Sequence, residues 1–360
     1  MIEILISGYY GFDNFGDDAI LHVLVSELKK AFHLPEITVI SNNPKKVKKI
    51  YGVESVHRFN IGKITRHMAT CDVFISGGGS LLQDATSLKS FLYYLWLIHL
   101  ANSYGKKTII YAQGIGPIST ILARYLTRKV LLKADLVAVR DRESQNFLKQ
   151  LRVDSVLVTD PVWNFSDLFG NKILTKNKIN VGIQLREWKD ISVKTINIIA
   201  DVLEEKFNEE KYCIHLIALQ QSQDIAIMQK LKNILLKKKL KSSLRIHSTS
   251  LLSIPQSLNL IGSLDYLIAM RYHACLAAIN FKVPTLALSY DPKVKHLAIE
   301  SKIPYINVKN LNKNKALFIK KIDELFTLRE EIKMELESFS QRKNQICREN
   351  IALLVSTISN

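Results

Sequence analysis

Cysteine is scarce in this sequence, with only four among 360 residues. Cys71, Cys213, Cys275 and Cys347 lie far apart, and none belongs to a C-x-x-C pair. This spacing argues against a zinc site built on cysteine pairs and against a disulfide framework. We therefore expect the four thiols to act as small apolar side chains in the core.

Long hydrophobic runs are also missing. The most apolar stretch, from Phe91 to Ala101, is too short to span a bilayer and contains His99, which is typical of a buried helix. The first six residues include Glu3 and have no basic segment before them, so they predict a strand and not a signal peptide. We expect a cytoplasmic protein.

Acidic residues are outnumbered, 33 against 50 basic ones, and the formal net charge is +17. This balance predicts attraction to anions, whether phosphorylated metabolites, nucleic acid or an acidic lipid surface. The densest basic cluster, residues 237–241, closes a predicted helix without interleaved aromatic residues, which favours a solvated helix end over an RNA-binding surface. No nucleic-acid-binding module is recognisable, so we expect no nucleic acid partner.

Short apolar runs alternate with longer amphipathic segments, which is typical of β-α units on parallel sheets. Seven strand candidates lie before residue 159 and six after residue 178. The stretch between them, residues 159–178, has little periodicity and is the best linker candidate. We predict an α/β fold with two Rossmann-like parallel-sheet domains that face a central cleft, the architecture called GT-B.

The predicted domain boundaries follow from that alternation. Residues 1–165 form the N-terminal domain and residues 166–330 the C-terminal domain. Residues 331–360 form a helix whose apolar last turn, residues 351–355, is expected to dock back on the N-terminal domain.

A glycine-rich loop from Gly8 to Asp18 follows the first predicted strand and holds Asp13, Asn14 and Asp17. Its glycines are too widely spaced to serve a dinucleotide pyrophosphate, and Asp17 can cap the helix that follows. A capped turn is the simpler interpretation. Two carboxylates and an amide in one loop exceed what capping requires, however, and favour a ligand site.

Three consecutive glycines, Gly77, Gly78 and Gly79, follow a later strand and are expected to precede a helix. Their backbone N–H groups at a helix N-terminus would favour an anion or the close approach of a sugar ring. Ser80 and Asp84 are the predicted polar contacts to that ligand.

Two more polar residues lie at predicted strand ends of this half. Gln113 is in the turn from Tyr111 to Pro117, which either contributes to a site or merely breaks the chain before a helix. Arg140 has a guanidinium suited to a carboxylate or phosphate, although it may form only a local ion pair with Asp141.

The C-terminal half places cations at strand ends. Arg186 ends the first strand of that half, Arg271 and His273 begin a small-residue helix, and Lys293 follows the next strand. Adjacent strands would bring these side chains together around a small, multiply charged anion, and the helix N-terminus would add positive potential. A histidine alone is more often a core residue. An ion pair that locks Arg271 in the core, or opposite orientations of His273 and Lys293, would contradict this pocket.

Taken together, these motifs resemble the polysaccharide pyruvyltransferase family over nearly the whole chain. The chain is most similar to the CsaB-type members, which form ketals on N-acetylmannosamine in secondary cell-wall polymers used for S-layer anchoring. The matching segments are Gly8 to Asp18, Gly77 to Asp84, Gln113 to Pro117, Arg140-Asp141-x-x-Ser144, Asp160-Pro161 and Arg271 to Ala274.

The resemblance implies a GT-B fold, phosphoenolpyruvate as the donor, and neither a metal nor another cofactor. It implies a lipid-diphosphate-linked ManNAc-GlcNAc disaccharide as the acceptor and a 4,6-pyruvate ketal as the product. With such an acceptor, we expect peripheral contact with the inner face of the membrane, helped by the basic surface.

The reaction that the resemblance implies needs a general acid and several cations, and we assign these roles to residues as a hypothesis. His273 is the expected general acid that protonates the methylene carbon of phosphoenolpyruvate. The donor carboxylate and phosphate are expected to be held by four cations: Arg140, Arg186, Arg271 and Lys293. The N-terminal domain would bind the acceptor through Asp13, Asn14, Asp17, Gly77, Gly78, Gly79, Ser80, Asp84 and Gln113, and Asp13, Asp17 or Asp84 would orient or deprotonate the acceptor hydroxyl.

Two other functions are compatible with the sequence. A sugar-nucleotide glycosyltransferase would use the same architecture, although the C-terminal half has no paired glutamates of the kind many retaining enzymes carry. A non-catalytic binder of anions or nucleic acid would explain the charge of +17 but not the motifs.

Overall fold

The computed structural model describes residues 2–85, 87–168, 174, 177–248, 252–311 and 314–360. The predicted linker, residues 159–178, lies partly outside the described residues. The chain divides into two compact units, one formed by residues 1–164 and 343–360 and the other by residues 165–342.

The first unit is built on a parallel sheet in the order β3-β2-β1-β4-β6-β7-β8, with β5 paired to β6 outside this path. Most of its central strands are buried on both faces, which is why they appear in the sequence as continuous apolar runs. The strands are β1 (Glu3–Ser7), β2 (Glu36–Ser41), β3 (Glu54–His57), β4 (Val73–Ser76), β5 (Gly79–Leu82), β6 (Lys107–Ile115), β7 (Leu136–Val139) and β8 (Val156–Leu157).

The helices of this unit are α1 (Phe15–Ala31), α2 (Pro44–Tyr51), α3 (Ile61–Thr70), α4 (Leu88–Ser103), α5 (Ile121–Leu131) and α6 (Arg142–Gln150), and a 3₁₀ segment covers Pro161–Leu168. The buried apolar residues of these helices belong to two core clusters. One cluster contains apolar residues of α3, α4, α5 and α6. The other contains residues of α1 and α2 together with Leu354 and Ile358 from the end of the chain.

The second unit has a parallel sheet in the order β11-β10-β9-β12-β13-β14. Its strands are β9 (Ile179–Gln184), β10 (Tyr212–Ala218), β11 (Ser243–Ser248), β12 (Tyr266–Ala269), β13 (Thr285–Ser289) and β14 (Tyr305–Asn307). Its helices are α7 (Val193–Phe207), α8 (Gln221–Lys237), α9 (Ile254–Gly262), α10 (Tyr272–Asn280), α11 (Pro292–Glu300), α12 (Val308–Leu311) and α13 (Lys315–Thr327). The last helix, α14 (Arg329–Ser359), begins in this unit, and its residues from Lys343 belong to the first.

Many helices start where the sequence supplies a capping side chain. Asn14, Thr120, Asp141, Ser192 and Asp291 each precede a helix and accept a hydrogen bond from a backbone N–H of its first turn. Such caps satisfy donors that the helix itself leaves unpaired. They fix where each loop ends, and therefore which side chains remain at the edge of the sheet.

The strand order reverses direction once in each sheet, between β1 and β4 in the first unit and between β9 and β12 in the second. Ligands of open α/β sheets bind at such a switch point, beyond the carboxyl ends of the strands. The loops that begin at Gly8, Gly77, Leu185 and Met270 therefore mark the places where a site is expected.

The structure confirms the predicted α/β fold with two Rossmann-like parallel sheets. In the described residues six strands follow residue 178, as predicted, and eight instead of seven lie before residue 159. The additional strand is β5, which pairs with the long strand β6. All four cysteines are buried and free. No helix in the described part of the chain combines the length and hydropathy needed to cross a membrane.

Candidate active site

Three adjacent strands of the second unit, β9, β12 and β13, carry the predicted cations at one edge of the sheet. Arg186 lies two residues after β9, Arg271 is the N-cap of α10 after β12, and Lys293 lies in the first turn of α11 after β13. The predicted neighbourhood of these strands is therefore correct.

Arg271 is not the unpaired cation that the sequence suggested. Its Nε and Nη2 donate to the two carboxylate oxygens of Asp224 at 2.8 and 2.5 Å, and Asp224 is fully buried. Arg271 is only 9% exposed and requires such a partner, because an unpaired buried charge is strongly destabilising. Arg271 is thus partly locked in a core ion pair, which was the condition that would contradict the predicted pocket. It can bind an anion only through N–H groups that do not bind Asp224.

Asp224 itself is held from several directions. It accepts hydrogen bonds from the backbone N–H groups of Leu219 and Gln220 at 2.9 and 3.1 Å and from Gln184 Nε2 at 3.1 Å. The Oε1 atom of Gln184 in turn accepts the backbone N–H of Arg271 at 2.8 Å. This network fixes the direction of the Arg271 side chain at the switch point.

Gln223 joins the two arginines. Its Oε1 accepts a hydrogen bond from Arg186 Nη2 at 2.5 Å and another from Arg271 Nη2 at 3.2 Å. Because the amide is neutral, it brings the guanidiniums together without cancelling either charge. Two adjacent positive groups are the arrangement that a ligand with a carboxylate and a phosphate requires.

Arg186 is positioned by aromatic rings as well. Its Nη1 donates to the hydroxyl of Tyr290 at 2.9 Å, and its Cζ lies 5.2 and 5.0 Å from the ring centroids of Trp188 and Tyr290. Its Nε is buried and has no hydrogen-bond partner. The indole Nε1 of Trp188 is likewise buried and has no hydrogen-bond partner. Arg186, Trp188, Gln223 and Lys230 line an open surface pocket beside these side chains.

His273 and Lys293 begin neighbouring helices, since α10 and α11 pack against each other. His273 is half-buried with its ring edge-on to Tyr272 at a centroid distance of 5.1 Å. No side chain caps α10, so the positive potential of its N-terminus acts at this edge of the sheet. The backbone N–H of Lys293 donates to Asp291 at 2.7 Å, while its side chain is half-buried.

The loop after β1 in the first unit combines the capping function with a group of carboxylates. Asn14, and not Asp17, is the N-cap of α1, because its Oδ1 accepts the N–H of Gly16 at 3.3 Å. Asp13 has a positive φ of 54° and its carboxylate binds Lys46. Asp17 accepts a hydrogen bond from Asn14 Nδ2 and is only 8% exposed.

Asp18 is a carboxylate that the sequence analysis did not select. It is 9% exposed and accepts the backbone N–H of Gly11 at 3.4 Å. Burial raises the pKa of Asp18 to about 6, because the charged form is poorly solvated there. Its position in the first turn of α1, directly after Asp17, was the available signal.

The three glycines do not precede a helix, so that prediction is wrong. They lead from β4 into β5, which starts at Gly79 and pairs with β6. Tight packing accounts for them, since a Cβ on Gly77 would overlap the Tyr10 hydroxyl and one on Gly78 would lie 3.0 Å from Ile20. Gly79 has a φ of 101° and lies against the Asp17 carboxylate, which brings the loops after β1 and β4 together.

Ser80 and Arg140 contact each other in the first unit. Arg140 Nη2 donates to Ser80 Oγ at 3.2 Å, and its Nη1 binds the fully buried carboxylate of Asp160 at 3.2 Å. Asp141, the partner named as the alternative, is at 4.0 Å. The guanidinium of Arg140 is therefore already paired, because a buried charge requires a partner.

Gln113 and Asp84 are also engaged with the protein. Gln113 is fully buried within β6 and donates to the backbone oxygen and hydroxyl of Ser76 at 3.0 and 2.6 Å. Asp84 accepts the N–H and hydroxyl of Ser119 at 2.8 and 2.6 Å, and these hydrogen bonds lower the pKa of Asp84. Both residues stabilise the loop region, and Gln113 does not reach the surface because β6 extends past it.

An aromatic cluster beside the β1 loop was missed. Tyr9 and Phe12 stack with centroids 4.0 Å apart and planes at 5°, and Arg58 lies 5.3 Å from the Phe12 ring and 4.7 Å from that of Tyr93. Aromatic rings of this kind suit the apolar face of a sugar. The available signal was the presence of four aromatic residues between Gly8 and Gly16: Tyr9, Tyr10, Phe12 and Phe15.

Solved structures with similar folds cover nearly the whole chain at low identity. A glycosyltransferase from Rickettsia africae has a TM-score of 0.65 at 15% identity and covers 100% of this chain and 99% of its own. HepE from Anabaena in complex with UDP-glucose has a TM-score of 0.61 at 11% identity, covering 98% and 100%. The putative UDP-N-acetylglucosamine 2-epimerase from Listeria monocytogenes has a TM-score of 0.64 at 10% identity, covering 93% and 90%. At these identities the likeness shows the fold alone, which is GT-B-like.

Sequence comparison is more specific. Residues 14–292 match the family model described as "Polysaccharide pyruvyl transferase". That range includes Asn14, Asp17 and Asp18 of the β1 loop and Arg186, Arg271 and His273 of the second unit, and it ends one residue before Lys293. None of the curated proteins matches the chain significantly.

Proposed function

The chain belongs to the polysaccharide pyruvyl transferase family, and we propose that it transfers the enolpyruvyl group of phosphoenolpyruvate onto a sugar to form a 4,6-pyruvate ketal. The proposed acceptor is the N-acetylmannosamine of a lipid-diphosphate-linked ManNAc-GlcNAc disaccharide, as in the CsaB-type enzymes. With phosphoenolpyruvate as the donor, the reaction would take place in the cytoplasm, at the inner face of the membrane.

The observation that carries this proposal is the joining of Arg186 and Arg271 by Gln223 at the switch point of the second sheet. Phosphoenolpyruvate carries a carboxylate and a phosphate on one carbon atom, so its recognition requires two cationic groups side by side. We assign Arg186 to direct binding, since it lines the open surface pocket together with Gln223 and Lys230. Arg271 contributes the groups that its pair with Asp224 leaves available.

The proposed chemistry balances without a further reactant. His273 gives a proton to the methylene carbon of phosphoenolpyruvate, which makes C2 electrophilic, and one sugar hydroxyl adds at C2 and loses its proton. The C2–oxygen bond to phosphate then breaks, inorganic phosphate leaves, and the second hydroxyl closes the ring with loss of its proton. One hydroxyl proton replaces that given by His273, and the other ends on phosphate.

The cations would stabilise the charge that develops on the leaving phosphate. Lys293 is proposed for this role, because it begins the helix next to that of His273. We leave Arg140 out of the donor site, since Asp160 and Ser80 already occupy its guanidinium.

The acceptor is proposed to bind at the switch point of the first unit. Asp17 is the best candidate for orienting or deprotonating the acceptor hydroxyl, because it lies against Gly79 and joins the two loops there. Asp84 is a weaker base, since the hydrogen bonds from Ser119 lower its pKa. Asp13 is paired with Lys46, and Tyr9 and Phe12 supply an aromatic surface near these carboxylates.

Mass analysis of the acceptor tests the proposal. A ManNAc-GlcNAc-diphosphate lipid incubated with the enzyme and phosphoenolpyruvate should gain the mass of one pyruvate minus one water. Phosphate should be released only when both substrates are present. Release of phosphate without acceptor, or no mass change with any pyruvylatable sugar, would contradict the proposal.

A sugar-nucleotide glycosyltransferase is the second candidate, because the similar folds include HepE in complex with UDP-glucose. Thermal stabilisation by a ligand separates the two functions, since only a ligand that binds the folded state raises the melting temperature. We expect phosphoenolpyruvate to stabilise the chain in a saturable way and UDP-sugars not to do so.

A further inference from the structure

Large apolar side chains are strongly exposed at the start of three neighbouring helices of the first unit. Phe59 precedes α3 and is 68% exposed, Leu88 begins α4 at 54%, and Ile121 and Leu122 begin α5 at 86% and 67%. These helices follow β3, β5 and β6, and α4 packs against both α3 and α5. The exposed side chains therefore lie at the carboxyl edge of one sheet.

The same part of the chain is almost free of acidic residues. The basic residues at or near the N-terminal ends of these helices are Arg58, Lys63, Lys89 and Arg124, and residues 55–134 contain only two carboxylates, Asp72 and Asp84. Asp84 accepts hydrogen bonds from Ser119, which lower its pKa and keep it ionised. Within the described residues, no carboxylate forms an ion pair with Lys63, Lys89 or Arg124.

We propose that the N-terminal ends of α3, α4 and α5 form a docking surface for a lipid bilayer with anionic headgroups. Apolar side chains between basic ones match such an interface, because the former enter the acyl boundary while the latter bind the headgroups. A second copy of the chain fits less well, since it would bring two surfaces of the same strong charge together.

The docking surface is consistent with the proposed reaction. It rests on the proposed function in one respect only, namely that the acceptor is lipid-linked. The loops after β1 and β4, where the acceptor is proposed to bind, lie at the same carboxyl edge of the sheet. A membrane bound there would present the diphosphate-linked sugar to that edge. Binding to the membrane requires neither His273 nor the arginines of the second unit.

Cosedimentation of the full chain with vesicles tests the surface. We expect binding to vesicles of phosphatidylcholine with phosphatidylglycerol, little binding to phosphatidylcholine alone, and weakening by salt. The triple variant Leu88→Ser, Ile121→Ser, Leu122→Ser should lower partition onto the anionic vesicles about tenfold or more. The matched control replaces three exposed residues of the second unit, Val193→Ser, Leu236→Ser and Ile299→Ser, and should bind as the unchanged chain does.

Two measurements separate the remaining outcomes. Equal partition of the triple variant and the unchanged chain, or a dimer in sedimentation velocity that the triple variant disperses, would overturn the docking surface. Transfer of pyruvyl to a water-soluble acceptor should be the same in the triple variant and the unchanged chain. If no acceptor is pyruvylated while vesicle binding follows the expected pattern, the proposed reaction fails and the docking surface stands.

Discussion

The switch points of the two sheets have the same topology and opposite charge. The loops at the first switch point carry Asp13, Asp17 and Asp18, whereas Arg186, Arg271 and Lys293 lie at the edge of the second sheet. Strand order alone would predict two equivalent sites. The comparison shows that the sheet determines where a ligand binds, while the residues just after each strand determine its charge.

Both edges also contain a buried arginine–aspartate pair, and the two pairs differ in what surrounds them. Arg140 binds Asp160 and Ser80 within the first unit. Arg271 binds Asp224 but also shares Gln223 with a second arginine. An arginine at a strand end is thus not by itself an anion clamp. The presence of a neighbouring cation distinguishes the proposed donor site.

Replacing the proposed acid should have the largest effect. We expect His273→Ala to lower turnover about 10²- to 10⁴-fold, because general acid catalysis contributes that much, with little change in phosphoenolpyruvate binding. Single-turnover release of phosphate measures the chemical step. His296→Ala, an exposed histidine on α11, is the control and should retain activity. Wild-type turnover in His273→Ala would contradict the assignment.

The buried pairs provide a direct test of the comparison. Asp224→Ala and Asp160→Ala should each lower the free energy of unfolding by about 3–5 kcal/mol, since each leaves a buried arginine unpaired. Urea denaturation measures the loss. If the two edges bind different substrates, only Asp224→Ala should also raise the KM for phosphoenolpyruvate. An equal increase in both variants would remove the distinction between the edges.

A smaller effect is expected from charge at Gln223. The substitution Gln223→Glu places a carboxylate between Arg186 and Arg271 and should raise the KM for phosphoenolpyruvate about 10- to 100-fold, because it pairs with the guanidiniums needed by the substrate. Gln221→Glu adds the same charge on an exposed position two residues away and is the matched control. Similar KM values for the two variants would show that Gln223 does not organise the donor site.

The smallest effect concerns Asp18 in the first unit. Its folded-state pKa of about 6 lies above the ordinary value of 3.8, so the folded state holds the proton more tightly and stability falls as pH rises from about 4 to about 6. Asp18→Asn should therefore raise the free energy of unfolding by about 1–3 kcal/mol at pH 7, and the gain should vanish near pH 4. Unfolding curves across this pH range measure it, and a gain independent of pH would contradict the stated cause.

The fold was largely predictable from the sequence. Strands such as Tyr212–Ala218 and Thr285–Ser289 are buried on both faces, so their apolar runs stand out between amphipathic helices. β5 could not be recognised, because Gly79 and Ser80 are atypical of strands and the pairing with β6 supplies what local propensity lacks.

The candidate site was predicted less completely. The strand ends at Arg186, Arg271 and Lys293 could be located, since each follows an apolar run directly. Asp224 and Gln223 could not be linked to them, because these contacts join the start of α8 to residues that are 37 and 47 positions away in the sequence. The pairing of a buried charge depends on the folded chain. The sequence contains the arginine and the aspartate but does not show that they form a pair.

The end of the chain has a consequence for folding during synthesis. Leu354 and Ile358 complete a core cluster whose other members come from residues 4–158, whereas the second unit needs nothing beyond residue 342. The first unit therefore keeps an unfilled groove beside α1 and α2 until the last residues of the chain have left the ribosome. The segment made first is completed last, and chaperones would meet it with that groove open.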